Sequence, residues 1–211
     1  AWGIAKKLYE NGAELAITYQ NESLLKRVKP LAKHVNSNFL LECDFNKNGS
    51  LENTIETITS EWDNIDFIIH AVAFSDKNEL NGRYIDTTRE NFINSLNISC
   101  HSFTKLAKLI QPFMNNGGSL LTLSFYGAKK VMPNYNVMGI AKAALETSVK
   151  YLSVDLGSQK IRVNAISAGP MRTLAGAAIA NAREVYKYTE ENSSLRRNVL
   201  LEELGNSALY F

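Results

Sequence analysis

Tyr135 and Lys142 stand seven residues apart in the stretch Pro133-Asn134-Tyr135-Asn136-Val137-Met138-Gly139-Ile140-Ala141-Lys142. On a helix that separation is about 700° of rotation, roughly 20° short of two turns, so both side chains project from one face about 10.5 Å apart along the axis. A phenol and an ammonium so placed can touch the two ends of one extended ligand, with the cation lowering the phenol's pKa and the phenol donating a proton or a hydrogen bond. The same spacing also describes a Tyr and a Lys on the solvated face of an ordinary amphipathic helix. A second pair, Tyr126 and Lys130, has the Tyr-x3-Lys spacing, but it follows a strand-like run, flanks Gly127 and precedes Pro133, which predicts a loop.

The elements that must hold such a pair follow from where the apolar period changes. Ala1–Asn11 predicts a helix through Ile4, Ala5 and Leu8; Glu14–Tyr19 is a strand; Asn21 caps a helix running to Val35 through Leu24, Leu25 and Val28. Asn38–Asp44 is a second strand, Asn48–Trp62 a helix, and the continuous apolar run Asp66–Phe74 a strand covered on both faces. Thr88 opens a long helix that must stop or kink near Pro112, and the Asn115-Asn116-Gly117-Gly118 turn feeds the buried strand Ser119–Phe125. Pro133 introduces the helix that carries Tyr135 to Leu156, Gly157 ends it, and Ile161–Ser167 is the fifth strand. This alternation predicts an α/β fold: a Rossmann-like, doubly wound parallel sheet with right-handed crossovers. No repeat, low-complexity tract or Pro/Ser-rich linker divides residues 1–211, which read as a single domain.

The 211 residues hold 23 Lys+Arg against 21 Asp+Glu, a formal charge of +2, with 45% hydrophobic and 21% charged residues. That balance argues against a disordered tail or a nucleic-acid clamp and points to a small-molecule or protein partner. Cys43 and Cys100 make no disulfide framework, and His34, His70 and His101 have no metal-ligand spacing, so reduced thiols, a cytoplasmic location and no metal site are expected. No run approaches the roughly 20 apolar residues that span a bilayer, and the amphipathic first segment is not a signal peptide. In doubly wound nucleotide-binding folds a strand and a Gly-rich turn precede the first helix. Here the helix comes first, from Ala1, and Phe211 stands inside another, which reads as a domain cut at both ends.

The run Pro133–Gly139 followed by Lys142, with Ser167-Ala168-Gly169-Pro170-Met171-Arg172-Thr173 downstream, resembles the enoyl-acyl-carrier-protein reductases of bacterial fatty-acid synthesis. The resemblance runs the length of the chain, through Gly12–Asn21, Cys43-Asp44, the His70 segment and the closing stretch Arg196–Phe211. The wider short-chain dehydrogenase/reductase superfamily usually places its Lys four residues after its Tyr, a position held here by Gly139. The resemblance implies hydride transfer from NADH, with NADPH the alternative, to the β-carbon of a trans-2-enoyl thioester on acyl-carrier protein. It implies Tyr135 as the hydrogen-bond donor to the developing enolate oxygen and Lys142 on the nicotinamide ribose hydroxyls. Met138 then lines the acyl pocket, or is ordinary core.

The family usually carries another Tyr ten residues before the catalytic one. That position is Phe125, which keeps the ring and lacks the hydroxyl, implying reduced rather than abolished activity. By the same resemblance Gln20 contacts the adenosine ribose, Asp44 the adenine and Thr173 the nicotinamide amide or phosphate. Ala71, Val72 and Ala73 stand where the family often has Ser-Ile-Gly, with Ala71 against the cofactor and the extra methyl of Ala73 toward substrate or inhibitor. Tyr19-Gln20-Asn21-Glu22 has no Arg or Lys beside Gln20 for a 2′-phosphate, which favours NADH.

Residues 173–197 resemble the segment that closes the substrate pocket, and Arg183, Lys187, Arg196 and Arg197 either steer an acidic carrier protein or form a solvated face. The complete protein is implied to be a homotetramer. The family's sheet order puts the strand missing ahead of Ala1 between the first and third strands here, predicting a slot about 9–10 Å wide, twice the strand spacing. A last strand is expected beyond Phe211. Two rival readings are a non-catalytic remnant of such a reductase and another short-chain dehydrogenase or ketoreductase.

Overall fold

Apolar side chains at helical spacing dock on both faces of parallel strands in the computed structural model, which describes residues 1–171, 173 and 182–211. The chain begins α1 (Trp2–Glu10), β1 (Ala16–Tyr19), α2 (Glu22–His34), β2 (Phe39–Glu42), α3 (Ser50–Thr59), β3 (Phe67–His70). Next, α4 (Arg89–Leu96), a π-helical turn over Asn97–His101 and α5 (Ser102–Ile110) run end to end. Then come β4 (Gly118–Ser124), α6 (Val137–Gly157), β5 (Ile161–Ser167), α7 (Ala182–Asn192) and α8 (Leu201–Tyr210). Asn21 and Thr88 cap α2 and α4 as their types predict, each side chain accepting a backbone amide at 3.2 Å. Pro112 sits in the single 3-10 turn Gln111–Phe113 that follows α5.

Adjacent strand residues point to opposite faces, and β4 shows where each face goes. Leu120 packs with Leu51, Ile55, Phe103, Ile110, Leu145 and Ile161, in a core shared with α3, α5 and α6. Leu121 packs with Ile4, Leu8, Leu15, Val35 and Leu204, in a second core shared with α1 and α8. Helices therefore cover both faces, as the doubly wound reading requires.

The strands form two parallel sheets, β1-β2 and β3-β4-β5. Among the described residues no backbone hydrogen bond joins β1 to β3, and between them lies a cleft of about 820 Å³ lined by Ala16, Ile17 and Thr18 on one side and Phe67, Ile68 and Ile69 on the other. Ile68 and Ile69 consequently do not reach the full burial on both faces that the continuous apolar run Asp66–Phe74 predicts.

Most strands and helices are shorter than the sequence reading by a few residues, and two boundaries change what reaches the site. β3 ends at His70 rather than at Phe74 because side chains take over from the ladder: the Phe74 amide donates to Ser99 Oγ at 3.0 Å and the Asp76 amide to Asn91 Oδ1 at 2.9 Å. α6 begins at Val137, so Tyr135 lies in the preceding turn and not on the helix. Asn134 and Asn136, at φ 58° and 38°, are left-handed and cannot continue a right-handed helix.

Candidate active site

Parallel strands leave their C-terminal ends along one edge, and the expected site residues collect there. Gln20 follows β1, Asp44 comes shortly after β2, Ala71 follows β3 and Phe125 follows β4. Gln20 Nε2 donates to Asp44 Oδ1 at 3.4 Å, and both residues line the cleft together with Ala71 and Ala73. The Asp44 carboxylate also accepts the Asn46 amide at 3.0 Å, while its own amide donates to Ser50 Oγ at 2.9 Å, so the side chain is held at the cleft wall. Thr173 lies beyond β5 and is exposed. Of the expected closing segment, residues 174–181 lie outside the described residues, as does Arg172. The α7 part is tied to the stretch after β5 by Tyr186, whose hydroxyl donates to the Met171 carbonyl at 2.8 Å.

Tyr135 is positioned by a turn. Its ring is buried with Leu80 and Met138, and Phe125 and Met132 pack against this group. The Phe125 ring stands 5.1 Å from that of Tyr135 at an interplanar angle of 64°, an edge contact that supplies shape and no hydroxyl. Tyr126 is exposed in the 3-10 turn Tyr126–Ala128, the loop its neighbours predict. Asn136 clamps the turn in place, its Nδ2 donating to the carbonyls of Glu79, Leu80 and Gly82 at 3.1, 3.2 and 3.4 Å.

The electrostatics differ from the expectation that Lys142 lowers the Tyr135 pKa. Burial alone moves the phenol, and it moves it upward, because the phenolate loses its hydration. Lys142 is also buried, and its ammonium donates to the carbonyl of Leu123 in β4 at 2.7 Å. Desolvation lowers its pKa to about 8, with Cys100 acting in the opposite direction. At neutral pH the site thus holds a protonated phenol and a cation that sheds its proton readily.

His70 does more than the sequence suggested. It is buried, with Nδ1 2.9 Å from Thr122 Oγ1 and Nε2 2.8 Å from Ser102 Oγ, bridging β3, β4 and α5. Burial first, and the charge of Lys142 second, lower its pKa to about 3, so it is a neutral structural bridge. A polar ring inside a continuous apolar strand was the available signal, since a buried polar group must find partners. The Asn136 clamp had no comparable signal, because its carbonyl partners belong to a distant loop.

Together, a carboxamide that donates, a carboxylate that accepts at the adjacent strand end and a desolvated ammonium at the sheet edge suit the hydroxyls and ring nitrogens of a dinucleotide. The whole chain, residues 1–211, matches the family described as enoyl-(acyl carrier protein) reductase. The chain belongs to that family. Among enoyl reductases it is 59% identical over 210 residues to enoyl-acyl-carrier-protein reductase (NADH) 2 of Rhizobium meliloti, spanning all of this chain and 78% of that one. The enoyl-acyl-carrier-protein reductase (NADH) FabI of Bacillus subtilis is 45% identical, with 82% of its length covered. The crystal structure of the Anaplasma phagocytophilum enoyl reductase in complex with NAD superposes with a TM-score of 0.94 at 55% identity, over 99% of this chain and 80% of that one. No helix among the described residues of this enoyl reductase is long and apolar enough to cross a membrane.

Proposed function

We propose that this enoyl reductase saturates the trans-2 double bond of an enoyl thioester on acyl-carrier protein, with NADH as reductant, in the cytoplasmic fatty-acid synthesis of a bacterium. The observation that carries the reading is the buried, protonated Tyr135 phenol beside the C-terminal edge of a parallel sheet. When bound, NADH supplies the hydride that reaches the β-carbon of the substrate. Tyr135 donates to the thioester oxygen as negative charge develops there, and its dry surroundings make that hydrogen bond stronger than it is in water. Lys142 holds the nicotinamide ribose hydroxyls, Gln20 and Asp44 the adenosine end, and Ala71 and Thr173 the stretch between. Met138 and Ala73 line the acyl site, and α7 closes over it. NADH is favoured over NADPH because no cation flanks Gln20.

Tyr135→Phe tests the role directly. With crotonyl thioester, kcat is expected to fall roughly a hundredfold, the usual loss for one oxyanion donor, while NADH affinity holds. Full turnover in that variant would overturn the assignment.

Two features of the whole protein belong to the same reading. The cleft between the unbonded edges of β1 and β3 is the place for a further parallel strand. The protein assembles as a homotetramer; Ile93 on α4 and Tyr151 and Val154 on α6, all exposed, support a subunit contact there. Sedimentation equilibrium of the full-length protein checks the assembly, and a monomer at micromolar concentration would rule it out.

A further inference from the structure

We propose that Gly127 is a positioning residue for Tyr135, its bare Cα forming the floor on which the phenol ring is seated. The inference rests on the reading of Tyr135 as the hydrogen-bond donor. It starts from the way β4 ends. Phe125 is still extended, at φ −149° and ψ 153°, and the chain then folds into one tight turn, with the Ala128 amide donating to the Phe125 carbonyl at 2.9 Å and the Lys129 amide to the Tyr126 carbonyl at 2.9 Å. Gly127 is the middle residue of that turn. A Cβ built on it would stand 2.5 Å from Cδ1 and 2.7 Å from Cε1 of Tyr135, well inside contact distance.

The need at this position is for space. Gly127 is not among the residues with positive φ, so its backbone is open to any L residue and only the ring excludes a side chain. A second glycine, from another element, serves the same approach. A Cβ on Gly139, in the first turn of α6, would stand 2.9 Å from the Gly127 carbonyl oxygen. The turn after β4 and the start of α6 therefore meet glycine to glycine, and the Tyr135 ring fits against the seam.

The ring has no easy retreat. Leu80 and Met138 pack with it and Phe125 meets it edge-on. Its backbone is held at both ends, the Tyr135 amide donating to the Met132 carbonyl at 3.3 Å and its carbonyl accepting from the Met138 amide at 2.9 Å. The Asn136 clamp fixes the next residue. A methyl at 127 must displace the ring by about 1 Å to restore ordinary carbon contacts of about 3.5 Å. A shift of that size in a reacting group costs roughly a hundredfold in rate.

The test is Gly127→Ala in the full-length protein. Turnover of crotonyl thioester should fall roughly ten- to a hundredfold with NADH affinity unchanged. The Tyr135 ring signals in the NMR spectrum of ring-labelled protein, assigned by their loss in Tyr135→Phe, should shift. In a Tyr135→Phe background the same methyl should cost little further rate, because the group it misplaces is already gone. Wild-type turnover with unshifted ring signals overturns the proposal, and so does an equal loss in both backgrounds, which would place the effect elsewhere. If Tyr135→Phe keeps full activity, the catalytic role of Tyr135 fails, while shifted ring signals in Gly127→Ala would still establish the seat. Should Gly127→Ala unfold, Tyr135→Ala in the same chain should restore a Tm close to that of Tyr135→Ala alone. A double variant that stays unfolded shows that the methyl clashes with something other than the ring.

Discussion

At the scale of single residues, Tyr135 and Lys142 are groups that have lost water. Lys142 illustrates the consequence, since burial lowers its pKa from 10.5 to about 8. Between those values the unfolded chain binds the proton that the folded protein has released, so this group makes stability rise with pH across that window. Ligand binding has the opposite trend, because the charge that meets the ribose hydroxyls is present below about 8 and lost above it. NADH affinity should therefore weaken as pH rises through about 8, and Lys142→Met should bind weakly with that limb gone, as followed by NADH fluorescence. A wild-type profile flat across that range would contradict the assignment. The pair was legible in the sequence by residue type. Its electrostatics were not, because burial sets both shifts and the contact of the Lys142 ammonium with the Leu123 carbonyl, nineteen positions away, is made only in the fold.

At the scale of elements, close approach of backbones recurs. α1 and α8 pack through Gly3 and Gly205, and a Cβ on Gly205 would stand 2.6 Å from the Gly3 carbonyl oxygen and 2.8 Å from Lys7 Cβ. That contact joins Ile4 and Leu8 to Leu204 and Ala208 over Leu121 of β4. Gly205→Ala should force the helices apart at a cost of about 1–3 kcal/mol, as overpacking does elsewhere. The urea midpoint should fall while the Tyr135 ring signals stay in place; an unchanged midpoint would show that the helices yield freely. Element type and order were readable from periodicity almost throughout. The start of α6 was not, because Pro133 resembles a helix opening and nothing local discloses that Asn134 and Asn136 turn left-handed. The π-helical turn between α4 and α5 was equally hidden, since its apolar pattern continues that of its neighbours.

At the scale of the molecule, the divided sheet is the controlling fact. The facing edges of β1 and β3 are not bonded to each other, and apolar residues from both line the intervening cleft. Unpaired strand edges and exposed apolar surface favour association with other chains. Residues 1–211 expressed alone should aggregate or fail to bind NADH, whereas a protein in which a further strand pairs with both β1 and β3 should be soluble and bind. Size-exclusion chromatography with NADH fluorescence distinguishes the outcomes, and a soluble, NADH-binding product of residues 1–211 would refute the strand proposal.

By itself, the sequence determined the α/β class, the chain order of strands and helices, the family resemblance and most residues that gather at the C-terminal strand ends. These depend on local period, turn chemistry and residue type, all of which lie within short windows of chain. Tertiary structure alone decided that Tyr135 sits in a turn, that His70 is a neutral bridge and that Gly127 lies under the phenol ring. Each depends on a partner brought close by the fold, and burial, which sets both pKa shifts and packing room, is a property of the assembled core.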